Sequence, residues 1–292
     1  MILITGASGH LGHAIADQLL PKLADGEKLV VSSRSPEKLS HFKALGVEVR
    51  AADFDDKNSL IKAFKGVNKV LLISGHAPNA HRIQQHKNAV SAAVLAGTQH
   101  VAYTSFFNAV PESRFLFAEV HAKTEALLKS SGLTYTIFRN AWYADLFTEG
   151  IEQILAQAKL EASAGEGKIN SIPRAEIAAA IAEVLSTDKF GNSTLELTGP
   201  ETFSYAEVAD WLSEAYQKDI KYMNVNPEQV RKLYGGDSPF GFEIQGIISS
   251  YEAMQANEYD EVSDDFEKIM GRKPMSVKAF IQQQSRQSNV AG

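Results

Sequence analysis

Three glycines near the amino terminus, Gly6, Gly9 and Gly12, stand three residues apart and follow a short apolar segment, residues 2–4. This segment is typical of a buried strand, and the apolar side chains after the glycines are spaced for one face of a helix. A helix that begins at a glycine turn presents unpaired backbone N–H groups and the positive end of its dipole to an anion. We therefore predict a site for the pyrophosphate of a dinucleotide, with a purely structural turn as the alternative. The predicted contacts are Gly6, Ala7, Ser8, Gly9, His10, Leu11 and Gly12.

The end of the second predicted strand indicates which dinucleotide is bound. In dinucleotide-binding folds an acid at this point binds the ribose 2′-hydroxyl of NAD, whereas a basic residue accommodates the 2′-phosphate of NADP. The chain has no acid there, and Arg34 follows Ser32 and Ser33. The planar guanidinium of Arg34 suits a phosphate, and Lys38 adds positive charge. NADPH is therefore predicted over NADH; the alternative is that Arg34 caps a surface turn.

Further cofactor contacts are predicted where the third and fourth strands end. Asp53 and Phe54 follow the third strand, where adenine commonly packs, and Asp53 is predicted to accept from the adenine amine. Ser74, Gly75 and His76 follow the fourth strand, and the small residues let the backbone approach the middle of the dinucleotide. Turn chemistry explains the Ser74–Gly75 pair almost as well.

Strand-like and helix-like segments alternate through the first 140 residues. Strands are predicted over residues 2–4, 28–33, 47–51, 69–73, 99–104 and 134–138, and later helices over 36–45, 58–64, 80–96 and 119–129. Such alternation produces right-handed crossovers and a parallel sheet. The predicted fold class is α/β, a doubly wound parallel sheet (Rossmann fold) that occupies residues 1–140.

The alternation loosens after residue 140, and no linker separates the two parts. Residues 141–281 are predicted to form a smaller α/β lobe on the substrate side, packed on the first domain. Its predicted helices cover 142–156, 174–185 and 205–216, its strands 194–198 and 220–225, and helical stretches continue to about residue 270. Residues 235–239 are predicted to form a loop, and the polar tail 282–292 to be disordered.

Two residues capable of acid–base chemistry, His121 and Glu125, lie one helical turn apart in the helix predicted over 119–129. A hydrogen bond between them fits this spacing. His121 is a candidate proton donor oriented by Glu125, because the ordinary pKa of histidine lies near neutrality. The alternative is that both are structural, with His121 satisfied by a neighbouring carbonyl and Glu125 by solvent.

Aromatic residues follow the fifth and sixth predicted strands. Trp142, Tyr143 and Phe147 are predicted to form a wall for a flat acceptor, with Phe106 and Phe107 on the opposite side. Tyr143 is also the second candidate catalytic residue. The spacing of Tyr143 and Phe147 fits the core face of a helix equally, and for Phe147 that alternative is favoured.

Several segments resemble the NmrA-like group of atypical short-chain dehydrogenases/reductases. They are residues 4–12, 34–36, 71–74, 102–105, 121–125 and, most specifically, the Arg-Asn-Ala-Trp-Tyr run at 139–143. Within this group the pattern is most similar to NADPH-dependent quinone reductases and to triphenylmethane dye reductases. The resemblance implies that the backbone of Asn140, Ala141, Trp142 and Tyr143 contacts the cofactor. Lys168 and Arg174, which flank a later turn, are predicted to close over phosphate or substrate.

The chain departs from the wider superfamily at its usual proton donor. None of its nine tyrosines has a lysine four residues later, and the resemblance places His121 and Glu125 where that pair belongs. A ketone needs a strong proton donor, whereas quinones and cationic dyes accept hydride without one. The predicted function is hydride transfer from NADPH directly to a quinone-type aromatic acceptor, without flavin. The alternatives are reduction of a triarylmethane dye or other aromatic compound, and an NADP(H)-binding redox sensor.

Composition limits the remaining classes. A formal charge of −6 over 292 residues argues against nucleic-acid partners and acidic membrane surfaces. The absence of cysteine excludes disulfides, thiol nucleophiles and cysteine-based metal sites. His76, His81 and His86 are spaced by five and do not share a helix face, so no metal is predicted. A cytoplasmic protein acting on a small molecule is expected, with a homodimer left open.

Overall fold

The computed structural model describes residues 1–235 and 241–290, and of residues 288–290 the backbone alone. The strands are β1 Ile2–Ile4, β2 Leu29–Ser33, β3 Glu48–Ala51, β4 Lys69–Ile73, β5 His100–Phe106, β6 Thr134–Asn140, β7 Trp142–Tyr143, β8 Lys159–Ala162, β9 Lys168–Ile172, β10 Ser193–Leu197, β11 Thr202–Ser204 and β12 Lys221–Asn224. The helices are α1 His10–Leu19, α2 Ser40–Ala44, α3 Lys57–Phe64, α4 Asn79–Ala96, α5 Ala118–Lys129, α6 Ile151–Gln157, α7 Arg174–Leu185, α8 Tyr205–Tyr216, α9 Pro227–Leu233, α10 Gly241–Gln255, α11 Asp265–Met270 and α12 Val277–Val290. Short 3₁₀ helices occupy Leu20–Lys22, Pro36–Leu39 and Ala144–Phe147.

Seven parallel strands form the main sheet, in the order β10-β6-β5-β4-β1-β2-β3. Its central strands are apolar at almost every position because helices cover both faces. From β1 the chain first adds β2 and β3 on one side and then crosses back to add β4, β5, β6 and β10 on the other. The point where the strand order reverses therefore lies between β1 and β4. Ligands of such sheets bind at this switch point, outside the carboxyl ends of the strands. The prediction of a doubly wound Rossmann fold is confirmed.

The predicted division at residue 140 differs from the structure. Strand β10, predicted within the second lobe, is the seventh strand of the main sheet and pairs with β6. Helix α7 packs on α1, and its Ile181 belongs to the same buried cluster as Ile15 of α1 and Phe266 of α11. The main unit therefore includes three elements from beyond residue 140. Strand β10 extends the sheet beside β6, and the apolar faces of α7 and α11 pack into its core.

The second lobe is built from the segments between those elements. It contains a three-stranded sheet, β11-β9-β7, and a parallel pair, β12-β8. Its core includes Phe147, Phe203, Leu212, Ile248 and Tyr259, all buried. No helix in the described part of the chain combines the length and apolar character needed to cross a membrane.

Two predictions for the part of the chain after residue 140 are wrong. The single helix predicted over 142–156 is instead β7, a 3₁₀ helix and α6, because Gly150 adopts a left-handed φ of +71° between them and β7 pairs with β9. The tail predicted to be disordered continues α12 as far as Val290, and Ile281 and Ser285 are buried. Most of the loop predicted over 235–239 lies outside the described residues.

Candidate active site

The glycine turn is shaped by close contact between β1, the turn and α1. Gly6 has a φ of +62°, a conformation that favours glycine. A Cβ on Gly12 would lie 2.5 Å from the Gly6 carbonyl oxygen, so only glycine lets α1 start this close to the turn. Gly9 precedes α1, and no side chain caps the helix. The exposed turn therefore offers uncapped N–H groups, and it fits the pyrophosphate of a dinucleotide.

Arg34 follows β2 beside this turn. The Ser33 hydroxyl lies 2.8 Å from that of Ser8 and accepts a hydrogen bond from the Ser35 backbone N–H at 3.1 Å. These bonds hold the end of β2 against the glycine turn. The Arg34 side chain is exposed; its charge helps to lower the pKa of Asp55, but within the described structure Asp55 pairs with His81 and Arg34 forms no ion pair. Its guanidinium is thus available to an anion bound next to the turn.

Asp53 and Phe54 lie at the neighbouring end of β3. One carboxylate oxygen of Asp53 accepts a hydrogen bond from the Asp55 N–H at 3.0 Å. This oxygen stabilises the turn, and the other oxygen is the candidate acceptor for adenine. The Phe54 ring lies 3.6 Å from where a Cβ on Gly75 would be. The structure therefore brings the predicted adenine contacts next to the residues that follow β4.

A buried cation supports the segment after β4. The Arg82 guanidinium donates a hydrogen bond to the Gly75 carbonyl at 3.0 Å and stacks on Phe117, with its central carbon 4.8 Å from the ring centre. Arg82 is 6% exposed, and two of its nitrogens have no hydrogen-bond partner among the described residues. Burial lowers the pKa of the adjacent His86 to about 3, and the charge of Arg82 acts in the same direction. His76, which follows Gly75, is exposed and pairs with Glu243.

One of the two alternatives required a hydrogen bond between His121 and Glu125. In the structure each of these side chains bonds to other residues instead. The His121 Nδ1 lies 2.9 Å from the hydroxyl of Tyr103, and His121 is only 8% exposed. Burial lowers the pKa of His121 well below its ordinary value, and the charge of Arg82 adds to this effect. A neutral, enclosed imidazole is a poor proton donor at neutral pH, so the geometry favours a structural role for His121.

Glu125 has a structural role of its own, although solvent does not satisfy it as predicted. Its carboxylate accepts hydrogen bonds from Ser105 at 2.6 Å and from Arg139 at 2.8 and 3.0 Å. Only 3% of Glu125 is exposed. This ion pair joins α5 to the ends of β5 and β6, and it therefore fixes the segment that follows β6.

That segment places polar and aromatic groups at the carboxyl edge of the sheet. The amide of Asn140 is buried, and neither of its polar atoms makes a hydrogen bond of normal geometry within the described structure. The same holds for the indole nitrogen of Trp142. Burial raises the pKa of Tyr143, so its phenol stays protonated at neutral pH. Asn140, which also interacts with the Tyr143 hydroxyl, and Trp142 thus place polar atoms at the sheet edge that suit a polar cofactor group.

The two cations predicted to close over phosphate or substrate behave differently from each other. Arg174 lies with its central guanidinium carbon 5.0 Å from the centre of the Tyr143 ring and forms ion pairs with Asp145 at 3.3 Å and Glu149 at 3.1 Å. Its charge is therefore already compensated. Lys168 begins β9 and is exposed. Arg174 is placed to orient Tyr143.

A cavity of about 860 Å³ opens beside Trp142 and Tyr143. Phe147 reaches the cavity and also packs on Phe203 and Tyr205. Phe106 does not line it; this ring stands behind the wall, 4.8 Å from Phe115 and 5.1 Å from Trp142 between ring centres. The lining includes His76, Phe115, Phe117, Trp142, Tyr143, Phe147, Tyr205, Tyr234, Ile247, Tyr251 and Met254.

Most residues of this cavity lining were not predicted from the sequence. Tyr205, Tyr251 and Met254 come from α8 and α10, far along the chain from Trp142, and no local pattern marks them. Phe115 and Phe117 were predictable from their position, because aromatic residues in the segment between a sheet strand and the next helix are well placed to line the carboxyl edge of the sheet. The cavity therefore depends on the packing of the second lobe.

The comparisons with known proteins agree with this geometry. The model of the NmrA-like family matches residues 1–281. Quinone oxidoreductase 2 of Escherichia coli is 36% identical over 226 residues, which are 77% of this chain and 78% of that protein. Triphenylmethane reductase of Citrobacter sp., solved with NADP(H), superposes with a TM-score of 0.90 at 35% identity and covers 98% of this chain and 100% of its own.

A second similar structure is the NADPH complex of the NADPH-dependent quinone oxidoreductase of Escherichia coli. Its TM-score is 0.90 at 31% identity, and the match covers 97% of this chain and 99% of that chain. Both complexes belong to NADP(H)-dependent reductases whose fold extends over nearly the whole of this chain. The protein accordingly belongs to the NmrA-like family.

Proposed function

We propose that this protein transfers hydride from NADPH directly to a quinone-type aromatic acceptor, without flavin. The observation that carries the proposal is that the aromatic cavity and the predicted cofactor contacts share residues. His76, Trp142 and Tyr143 line the cavity and also follow β4 and β6 at the carboxyl edge of the sheet. An acceptor in the cavity therefore lies beside the place where such sheets hold the reactive end of a dinucleotide.

The residues at the other end of the edge suit the rest of NADPH. The glycine turn binds the pyrophosphate through its N–H groups, and the unpaired guanidinium of Arg34 binds the 2′-phosphate. Bound NADPH supplies the hydride. The role of the chain is to hold the cofactor along the switch point and to keep the acceptor against its reactive face.

The cavity supports a flat acceptor that needs little proton chemistry. Aromatic rings from both lobes line it, and its phenols remain protonated: burial raises the pKa of Tyr143, Tyr205 and Tyr251. A protonated phenol can donate a hydrogen bond to an acceptor oxygen that gains negative charge. Tyr143 is the best placed of them, because it lies at the sheet edge and Arg174 stacks on its ring.

A cationic dye is the second candidate, favoured by the charge of the lining. Glu149, Glu161 and Glu243 contribute to the wall, against a single lysine, Lys159. Glu149 is paired with Arg174 and Glu243 with His76, which leaves Glu161 as the least compensated carboxylate. The open cavity supports an enzyme over a redox sensor, since a sensor has no use for an acceptor pocket.

Steady-state oxidation of NADPH tests the proposal. The purified protein is assayed with benzoquinones, naphthoquinones and malachite green-type dyes, with NADH in parallel and an absorbance spectrum for bound flavin. We expect turnover with at least one quinone and no flavin absorbance. Turnover with dyes alone supports the second candidate. Tight NADPH binding without turnover on any acceptor contradicts both and supports the sensor.

A further inference from the structure

Two histidines and an aspartate converge on the surface between α1 and α2, away from the cavity. His13 and Asp17 stand one turn apart on α1, and His41 belongs to α2. The Asp17 carboxylate lies 3.4 Å from the His13 Nε2 and 3.0 Å from the His41 Nε2. One potential ligand atom from each residue lies within 4.8 Å of the other two. None of the three residues belongs to the candidate active site.

From this arrangement we propose a binding site for a divalent transition metal, with Zn²⁺ as the representative ion. Two imidazoles and one carboxylate form a donor set that zinc accepts, and a water molecule completes the tetrahedron. Zinc–ligand bonds of about 2.0–2.1 Å place neighbouring donor atoms roughly 3.3 Å apart in a tetrahedron. The separations of 3.4 Å (His13 Nε2 to Asp17 Oδ2) and 3.0 Å (His41 Nε2 to Asp17 Oδ1) are close to this value but involve different oxygens of Asp17. Rotation of the carboxylate and the two imidazoles, whose donor atoms already lie within 4.8 Å of one another, would seat the ion on one of these oxygens.

The imidazoles are held in place by a ring beneath them. Phe42 is fully buried, and its ring centre lies 4.7 Å from that of His13 and 5.0 Å from that of His41. The two imidazole centres are 5.1 Å apart. Contact with a fixed ring reduces the side-chain entropy lost when the metal binds. About half of each donor side chain is exposed, which gives an ion direct access from solvent.

The site joins two segments that lead to the phosphate contacts. Helix α1 begins at the glycine turn, and α2 follows the 3₁₀ helix Pro36–Leu39, which begins two residues after Arg34. A metal that links His13 to His41 therefore fastens α1 to the chain beyond Arg34. Because it binds only the folded arrangement, it raises the melting temperature.

Isothermal titration calorimetry of the tag-free, full-length protein with Zn²⁺ at pH 7.5 tests this proposal, with Co²⁺ absorbance as a second readout. We expect one saturable site, tetrahedral Co²⁺ bands and a higher melting temperature with Zn²⁺. His41→Gln and Asp17→Asn are each expected to weaken Zn²⁺ binding by tenfold or more. The matched control is His81→Gln, since His81 pairs with Asp55 2.6 Å away but belongs to no such three-donor group in the described structure.

The outcomes separate the proposal from its competitors. Binding that His81→Gln weakens as strongly as His41→Gln does, or that neither changes, shows adventitious binding elsewhere and overturns the proposal. A lack of saturable binding overturns it as well. Circular dichroism of each variant shows whether the fold is intact, and the Co²⁺ spectrum of Asp17→Asn reports the coordination itself.

Discussion

The phosphate edge and the acceptor cavity, which together form the candidate active site, are built in different ways. The phosphate edge, residues 6–12 and 33–35, consists of two short chain segments whose geometry is fixed by neighbouring residues. The cavity is assembled from β7, α6, α8 and α10 and exists only when the second lobe packs on the first. Substitutions at the edge should therefore alter cofactor binding, whereas those in the cavity should alter the acceptor.

The largest expected effect falls on the buried ion pair between Glu125 and Arg139, which fixes the segment that follows β6. Glu125→Ala removes the main partner of Arg139, which keeps only the longer ion pair with Glu196 at 3.4 Å. We expect a loss of about 3 kcal/mol in the free energy of unfolding, the lower end of the range for breaking a buried ion pair. Urea denaturation measures it. The matched control is Glu119→Ala on the same helix, whose exposed ion pair with Lys123 contributes less than about 1 kcal/mol. Equal losses would show that the buried pair has no special weight.

Gly12→Ala tests the close packing at the phosphate edge. The added Cβ would lie 2.5 Å from the Gly6 carbonyl oxygen, so the turn must move. We expect a loss of about 1–3 kcal/mol in stability and a severe loss of NADPH affinity, measured by fluorescence titration. At Gly9 the same atom lies 3.4 Å from that oxygen, so Gly9→Ala should keep the fold. Unchanged NADPH affinity in Gly12→Ala would contradict the assigned pyrophosphate site.

Arg34→Ala tests the choice between cofactors. Loss of a charged hydrogen bond to the 2′-phosphate should weaken NADPH binding by about 1.5–3 kcal/mol and leave NADH binding unchanged. Dissociation constants for both cofactors provide the measurement, and Lys38→Ala is the control for loss of a nearby positive charge. If NADPH and NADH lose equal affinity, Arg34 does not recognise the phosphate.

Tyr143→Phe tests the cavity with the fold and cofactor edge preserved. Removing the hydroxyl should cost about 0.5–1.5 kcal/mol of transition-state stabilisation, the contribution of one hydrogen bond, and so lower kcat/KM for a quinone. The NADPH dissociation constant should not change. Tyr205→Phe is the control from the far side of the cavity. An equal loss of NADPH binding in Tyr143→Phe would place this residue in the cofactor site alone.

The smallest effect is expected for His121→Gln. Burial holds the pKa of His121 well below its ordinary value, so this imidazole does not change its charge near neutral pH. The pH profile of kcat should therefore have the same midpoint in the variant and the parent protein. A midpoint near pH 6.5 that disappears in the variant would restore His121 as a proton donor.

The glycine turn, the position of Arg34 and the parallel order of the first six strands were predictable because local patterns encode them. Periodic apolar residues define the strands, and glycine spacing defines the turn. The aromatic wall was predicted only in part. Trp142 and Tyr143 line the cavity, whereas Phe106 stands behind it, since the side-chain direction at the end of β5 depends on packing against Phe115 and Trp142.

The sequence by itself determined the doubly wound parallel unit, in which most of the candidate cofactor contacts follow the end of a strand that its own neighbours specify. Only the tertiary structure decided where Glu125 finds its partner, which rings enclose the acceptor, and that β10 completes the main sheet. These features arise from contacts between residues far apart in the chain, and such contacts leave no periodic trace in the sequence. Their stability comes from burial, which depends on the whole fold.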